Sequence, residues 1–434
     1  MKSSKVMAAL VSLGLAAAVA TPAMALENQF SGSFLSFYDV SNYSAAGNDG
    51  YQKNFDKNFT GLDKNAPTEN YFVQRVRLGY TAKVTEDVKL VTKFELDYNF
   101  WGNNAYGNTR GGGGAIGADG INLETKNLYL DLNVAKSTNV KVGMQPYNDS
   151  FKGIIFDADM AGVLLSHEYD KAAVTAGFFR FNDSYTKTIG KNTQDMFSLD
   201  GKYSISKDLK VGAAYYYIYD NRAEDLVAGI SPAKVHTLGL NAEGNIGPVS
   251  LSGFAMAQFG DRAKSVEAKG YAFNVGAKMP VGTGTARAEL LYAAGGKNSL
   301  YVPAIGEGGA FYDNEMIILS RDKNTTTIDN AIVFDVNNYD QGVFFGSIGY
   351  DHTFTPKLSG SVNVGFAAVA EKETAFAHDS SYLGTEVNFE TNYKLMPAVT
   401  VGARAGYVFL GDYFKSSPTL DNPYDIKLIA KLAF

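Results

Sequence analysis

The stretch Tyr424-Asp-Ile-Lys-Leu-Ile-Ala-Lys-Leu-Ala-Phe434 puts Ile426, Leu428, Ala430, Leu432 and Phe434 on one face of a strand and Lys427 and Lys431 on the other. Successive strand side chains point to opposite faces, so one face here is apolar throughout while the other is charged. As a soluble strand the segment would bury its lysines or expose its leucines. As a stave of a membrane barrel it satisfies both faces, with the apolar residues in lipid and the lysines in a wet interior.

Val88 to Trp101 repeats the pattern: Val88, Leu90, Thr92, Phe94, Leu96, Tyr98 and Phe100 alternate with Lys89, Val91, Lys93, Glu95, Asp97, Asn99 and Trp101. Read as a helix, these residues would put charge on every side. At about 3.3 Å per residue the run is long enough to cross a bilayer at a barrel's tilt. The same test predicts strands over 29–40, 71–84, 88–101, 123–133, 139–146, 160–169, 171–182, 195–205, 208–219, 234–245, 248–259, 267–280, 284–294, 342–354, 357–370, 383–395, 398–410 and 424–434. The chain is therefore expected to be all-β with about 18 strands, in a range of about 16–20, because the 295–341 insertion has room for a further pair.

Connections alternate between short and long. Thr85-Glu86-Asp87, Val134–Thr138, Asp170, Ser206-Lys207, Asn245–Pro248, Val281–Gly284, Thr355-Pro356 and Met396-Pro397 are short. The others, 41–70, 102–122, 147–159, 183–194, 220–233, 260–266, 295–341, 371–382 and 411–423, are long. Kept in phase along the chain, this alternation describes a transmembrane antiparallel up-and-down β-barrel with short periplasmic turns and long external loops.

Composition agrees. There is no cysteine and one tryptophan, against 27 tyrosines and 28 phenylalanines. Disulfides, thiolate metal sites and cysteine nucleophiles are excluded. The formal charge of −6, from 39 basic and 45 acidic residues, is too acidic for general nucleic-acid binding. Residues 1–25 read as a cleavable secretory signal, with Lys2 and Lys5, an apolar run from Val6 to Ala20, and Ala23-Met24-Ala25 before Leu26. Beyond them no apolar run approaches the ~18 residues of a membrane helix. Residues 26–434 are expected to form one barrel domain.

On the signal, the strand ladder across 26–434 and the terminal Phe434, the chain resembles a Gram-negative outer-membrane porin. Eighteen strands bring it nearer to substrate-selective and alginate-export channels than to the general porins with about sixteen. The resemblance implies residence in the cell outer membrane, contact with its lipids, recognition of Phe434 by the barrel assembly machinery, and a homotrimer, the frequent form of related channels.

Strand parity sends Arg75, Arg77, Lys83, Lys89, Lys93, Glu95, Asp97, Asp131, Lys141, Asp200, Lys202, Lys210, Arg287, Glu289, Glu386, Glu390, Arg404, Lys427 and Lys431 inward. Facing lipid at the midplane, such charges would cost roughly 2–4 kcal/mol each. Closure would gather Arg75, Arg77, Lys89, Lys93, Arg404, Lys427 and Lys431 on one cationic wall, with Glu95, Asp97, Glu386 and Glu390 among the lumen's acids. Porins of the resembled type fold the third external loop into the lumen. Here that loop is 147–159, bearing Asp149, Lys152, Asp157 and Asp159, and its Phe151, Ile154, Ile155 and Phe156 are out of place in water. Two uses of these charges stay open: a constriction with a transverse field between wall and loop, or a lining that pairs internally and keeps the lumen wet.

No enzyme is indicated. His167, His236 and His352 fall on the lipid side near strand ends, and no Ser, His and carboxylate share usable spacing. The Arg110–Gly117 run is glycine-rich but lacks the Lys-Ser/Thr of a phosphate loop. The acidic loop clusters Asp49, Asp56 and Asp63, and Asp157 and Asp159, have the ligand type for surface Ca²⁺ but no complete EF-hand spacing, and read as solvated loops. No cofactor or metal is expected. The function read from the sequence is a water-filled channel for passive diffusion of small hydrophilic solutes and ions. The alternatives are a substrate-selective or polysaccharide-export channel, and a barrel that sheathes a partner protein.

Overall fold

The computed structural model describes residues 27–43, 68–102, 114, 123–183, 188–222, 232–263, 265–303, 312–323, 331–372, 380–415 and 420–434, without the side chains of 97–99. The expected signal, the acidic residues Asp49, Asp56 and Asp63, and the Asp97 side chain lie outside the described residues. So does the Arg110–Gly117 run except for Gly114.

Eighteen antiparallel strands close into a barrel. They are β1 (Glu27–Ser41), β2 (Glu69–Lys83), β3 (Val88–Phe100), β4 (Glu124–Ala135), β5 (Thr138–Asn148), β6 (Asp157–Glu168), β7 (Ala172–Asp183), β8 (Thr193–Ser206) and β9 (Leu209–Asp220). The second half contains β10 (Ala233–Ile246), β11 (Val249–Ala263), β12 (Tyr271–Val281), β13 (Gly284–Ala293), β14 (Val343–Thr353), β15 (Leu358–Ala368), β16 (Tyr382–Met396), β17 (Val399–Leu410) and β18 (Tyr424–Ala433). A two-residue ladder, Val266–Glu267, extends β11 and adds no stave. The seam is β1 against β18, from Ser33 opposite Ala433 to Ser41 opposite Asp425. Among the described residues, the long β13–β14 connection holds a 3-10 turn at Gly296–Asn298 and the isolated bridges Asn314–Asp322 and Ser320–Val333, and no strand pair.

The wall obeys the alternation that predicts it. Leu238, Leu240, Ile348, Val362 and Leu428 stand between 53% and 65% exposed on the outer face, where a bilayer would cover them. Their strand neighbours Thr237, Asn363 and Lys427 point inward and are buried. Rings collect at the rims, as interfacial girdles require. Phe178, Phe197, Tyr217, His236 and Phe259 form one register-matched row across β7 to β11, with successive centroids 5.1, 6.4, 4.7 and 4.9 Å apart. Phe100 and Phe345 also lie near loop ends but point inward and are buried. At the opposite end the strands join by short turns, and Gly247 (φ 59) and Gly282 (φ 58) take the left-handed position that a two-residue hairpin demands.

Two loops fold into the barrel. Phe151, Ile154, Ile155 and Phe156 from the β5–β6 loop and Met316, Ile317, Ile318 and Leu319 from the β13–β14 loop join one apolar cluster with the wall residues Tyr216, Phe254 and Phe345. These loop residues have no lipid to face, so burial against the inner wall is what removes them from water.

Candidate functional site: the narrowed lumen

The β5–β6 loop is organised by its own carboxylate. Asp149 Oδ1 accepts the backbone N–H of Phe151 (2.7 Å) and Gly153 (3.0 Å), and Oδ2 those of Ile155 (2.6 Å) and Phe156 (2.9 Å). Four amides on one carboxylate give most of the turn's donors a partner inside the barrel. Burial, the dominant cause, pushes the Asp149 carboxyl up to about 6 against the pull of those four N–H groups. The loop is seated by Asp200 of β8, which accepts from the hydroxyls of Tyr147 (2.6 Å), Ser150 (2.7 Å) and Tyr216 (2.6 Å). The Phe151 ring occupies the space that a Cβ on Gly239 would need. Asp149 is therefore not the constricting carboxylate expected of it. Its oxygens are already taken up by the loop's backbone.

Segment 312–323 of the β13–β14 connection is braced within by Asn314 Oδ1, which accepts from the Met316 N–H (2.8 Å) and the Ser320 hydroxyl (2.6 Å), and is tied to the wall from outside. The N–H groups of Ile317 (2.8 Å), Ile318 (3.0 Å) and Leu319 (2.7 Å) converge on the Glu386 carboxylate of β16. Asn388 donates to Glu386 Oε1 (2.7 Å) and to the Glu315 carbonyl (2.8 Å). Arg404 of β17 pairs with Asp322 and donates to Glu390 (2.6 Å). Arg287 reaches Glu315 (3.0 Å) and Asp351 (2.6 Å), and Tyr312 donates to Glu289 (2.6 Å). Glu386 and Arg404, expected on an open pore wall, are 0% and 2% exposed because this segment lies over them. Buried charge needs compensation, which Arg404 finds in Asp322 and Glu390, and Glu386 in three backbone N–H groups and the Asn388 amide.

The remaining nominated residues divide into two groups. Arg75 and Arg77 of β2 converge on Glu95 of β3, Arg75 at 3.1 Å. Lys126 of β4 lies 3.9 Å from Glu95 and 2.7 Å from Asp159, so it links wall to loop end. Lys93 stands opposite Asn127, which donates to Asp159 (2.6 Å). Lys152 pairs with Glu289 on the far wall, and Asp157 packs against Gly153. Away from this cluster, Lys89 sits opposite Asp131 and Lys83 near the turn end. Lys427 is sealed in the seam between Asp39 (3.0 Å) and Asp425. Lys431 stands opposite Leu35 and Thr400. The single cationic wall is thus corrected to a divided one. Arg404 and Lys427 are covered and neutralised, while Arg75 and Arg77 stay partly exposed beside Glu95.

Strand parity cannot point to Asp322, Glu315 or Arg321, which lie in a nominal loop. One signal was there: Met316-Ile-Ile-Leu319 is an apolar run in a long connection, the same anomaly that marks Phe151–Phe156. Connections of that length without strands are uncommon and usually functional. Below the loops, toward the turn end, lies a polar cavity of about 520 Å³ bordered by Lys152, Lys210, Glu243, Lys278, Arg287 and Glu289 among others.

No protein-family model matches the chain, and no curated protein does. Solved structures do. Pseudomonas aeruginosa OccK3 (OpdO) aligns with a TM-score of 0.57 at 13% identity, over 94% of this chain and 96% of that one. Acinetobacter baumannii OccAB4 aligns at 0.57 and 12%, over 95% and 100%. Pseudomonas aeruginosa OpdK, solved with vanillate, aligns at 0.55 and 12%, over 94% and 98%. At such identity the likeness is one of fold: this chain has the eighteen-stranded barrel of the outer-membrane protein OpdK and its kin.

Proposed function

We propose that this protein is an outer-membrane channel of a Gram-negative bacterium through which small hydrophilic solutes or ions diffuse passively, without catalysis, cofactor or energy source. The observation that carries the reading is the charged cavity of about 520 Å³ inside a barrel whose outer face is apolar. Charges on the lumen side of a lipid-clad wall are stable when water reaches them. Lipids of the outer membrane, assembly machinery acting on Phe434 and a homotrimer are the partners this reading supplies. Swelling of liposomes holding the purified barrel, in sugars of graded mass, tests it: rates that fall smoothly with mass support passive diffusion, and no swelling in any sugar removes it.

A substrate-selective channel is the second reading. The Arg75, Arg77, Lys93 and Lys126 group presents several cations near few acids, which suits a small carboxylate such as the vanillate found with OpdK. A marked preference for an anionic solute over a neutral one of equal mass would favour it. A sheath around a partner protein fits less well, because two loops already occupy the space that a partner would need.

A further inference from the structure

We propose that segment 312–323 is a displaceable constriction, and that Glu386, with Gly365 and Gly406 beside it, is the positioning site that holds it in the pore. The inference rests on the channel reading and concerns what sets that channel's width. Both inward loops dock on the wall, the β5–β6 loop at Asp200 and Glu289, but the carboxylates that gather their main-chain N–H groups differ in origin. The β5–β6 loop carries its own clamp, since Asp149 belongs to the turn it organises. Segment 312–323 has its clamps on the barrel: three consecutive N–H groups meet a carboxylate of β16, and Asp322 meets a guanidinium of β17. Consecutive main-chain N–H groups make an anion-binding concavity. Here the anion that fills it comes from the wall.

Next to Glu386 the inner wall is hollowed by two glycines. Gly365 stands opposite Glu386 in the ladder, and Gly406 opposite Asn388. A Cβ on Gly365 would lie 2.5 Å from Met316 Sδ, and one on Gly406 would lie 2.6 Å from Ile317 Cδ1. Met316 and Ile317 thus enter the wall where side chains are missing. Neither glycine is among the positive-φ glycines, so what each contributes is space and not backbone freedom. A bulky β-branched side chain at either position takes the space that Met316 or Ile317 fills and works against docking of the segment, while leaving the strand ladder intact. The self-clamped β5–β6 loop keeps its place meanwhile, and the lumen widens on the β15–β17 side.

Two variants reach the clamp by unrelated routes. Glu386→Gln replaces an acceptor oxygen with an amino group that faces N–H donors, and Gly406→Val fills a socket. Both are expected to shift single-channel conductance to a larger level and to admit, in swelling assays, sugars that the unaltered chain excludes. The chain has no cysteine, so Ile317→Cys with Gly406→Cys forms a defined crosslink. Placed in the Glu386→Gln background, oxidation of that pair returns conductance to the unaltered level, and reductant restores the larger one. Loss of structure could not produce that reversal. If Glu386→Gln and Gly406→Val barrels fold, shown by heat-modifiable migration, yet keep the original conductance and size limit, the inference is overturned. If the unaltered chain and every variant insert but pass no current, the channel reading falls and the inference with it.

Discussion

Lys427 Nζ lies 3.0 Å from Asp39 Oδ2 across the seam where the last strand meets the first, and both side chains are 2% exposed. Asp425 pairs with the same ammonium, and Tyr71 donates to Asp39 (2.9 Å). A charge group this deep ties barrel closure to one lysine.

Removing one member of a buried pair leaves its partner uncompensated, at a cost of about 3–5 kcal/mol, whereas removing all members together costs far less. Lys427→Met should therefore destabilise the barrel by that amount. Adding Asp39→Asn and Asp425→Asn should recover most of it. Urea unfolding in lipid vesicles measures both, and equal losses in the single and triple variants would show that charge burial is not the cause.

Asp149 links loop docking to pH. Its carboxyl titrates at about 6 when docked and near 3.8 when released. Between those values the docked loop holds a proton that the released loop lacks, so docking is strongest at low pH and weakens as pH rises through the window. Above about 6 it is level. Recordings should show more loop-release steps as pH rises from about 4 to 6, with no further change beyond it. Asp149→Asn should abolish that slope.

Arg75 and Arg77 share Glu95, so their joint replacement by Ala takes two cations from the lumen and leaves the carboxylate with Lys126 at 3.9 Å. Selectivity should shift toward cations. Reversal potentials under a salt gradient report this directly, and unchanged potentials would mean that solutes pass elsewhere.

Leu240, 65% exposed on the outer face of β10, should tolerate Arg poorly, at roughly 2–4 kcal/mol near the midplane. The same change at the inward neighbour Asn241 should cost less. Vesicle unfolding of the two variants compares them, and equal costs would contradict the assignment of faces.

The strand ladder is legible in the sequence because one rule, apolar outward and polar inward, recurs along the staves. Leu238, Ile348 and Leu428 cannot trade faces with Thr237, Ser347 and Lys427 without loss. Pairing inside the lumen obeys no such rule. Arg404 reads as inward, but its partner Asp322 is 82 residues away in the sequence, in a loop whose path no alternation encodes. Asp149 and Glu386 read as acids facing a pore, and only the folded backbone reveals that amides had already taken their oxygens. Phe151 and Ile155 were readable because apolar loop residues demand cover, and Ile317 and Ile318 made the same demand.

The central claim is that this barrel is a narrowed aqueous channel, and planar-bilayer recording of the purified full-length protein tests it most directly. The account predicts discrete conductance steps that scale with salt concentration and persist without any added ligand or energy source. A correctly folded, inserted barrel that passes no current over the same salt range would contradict it.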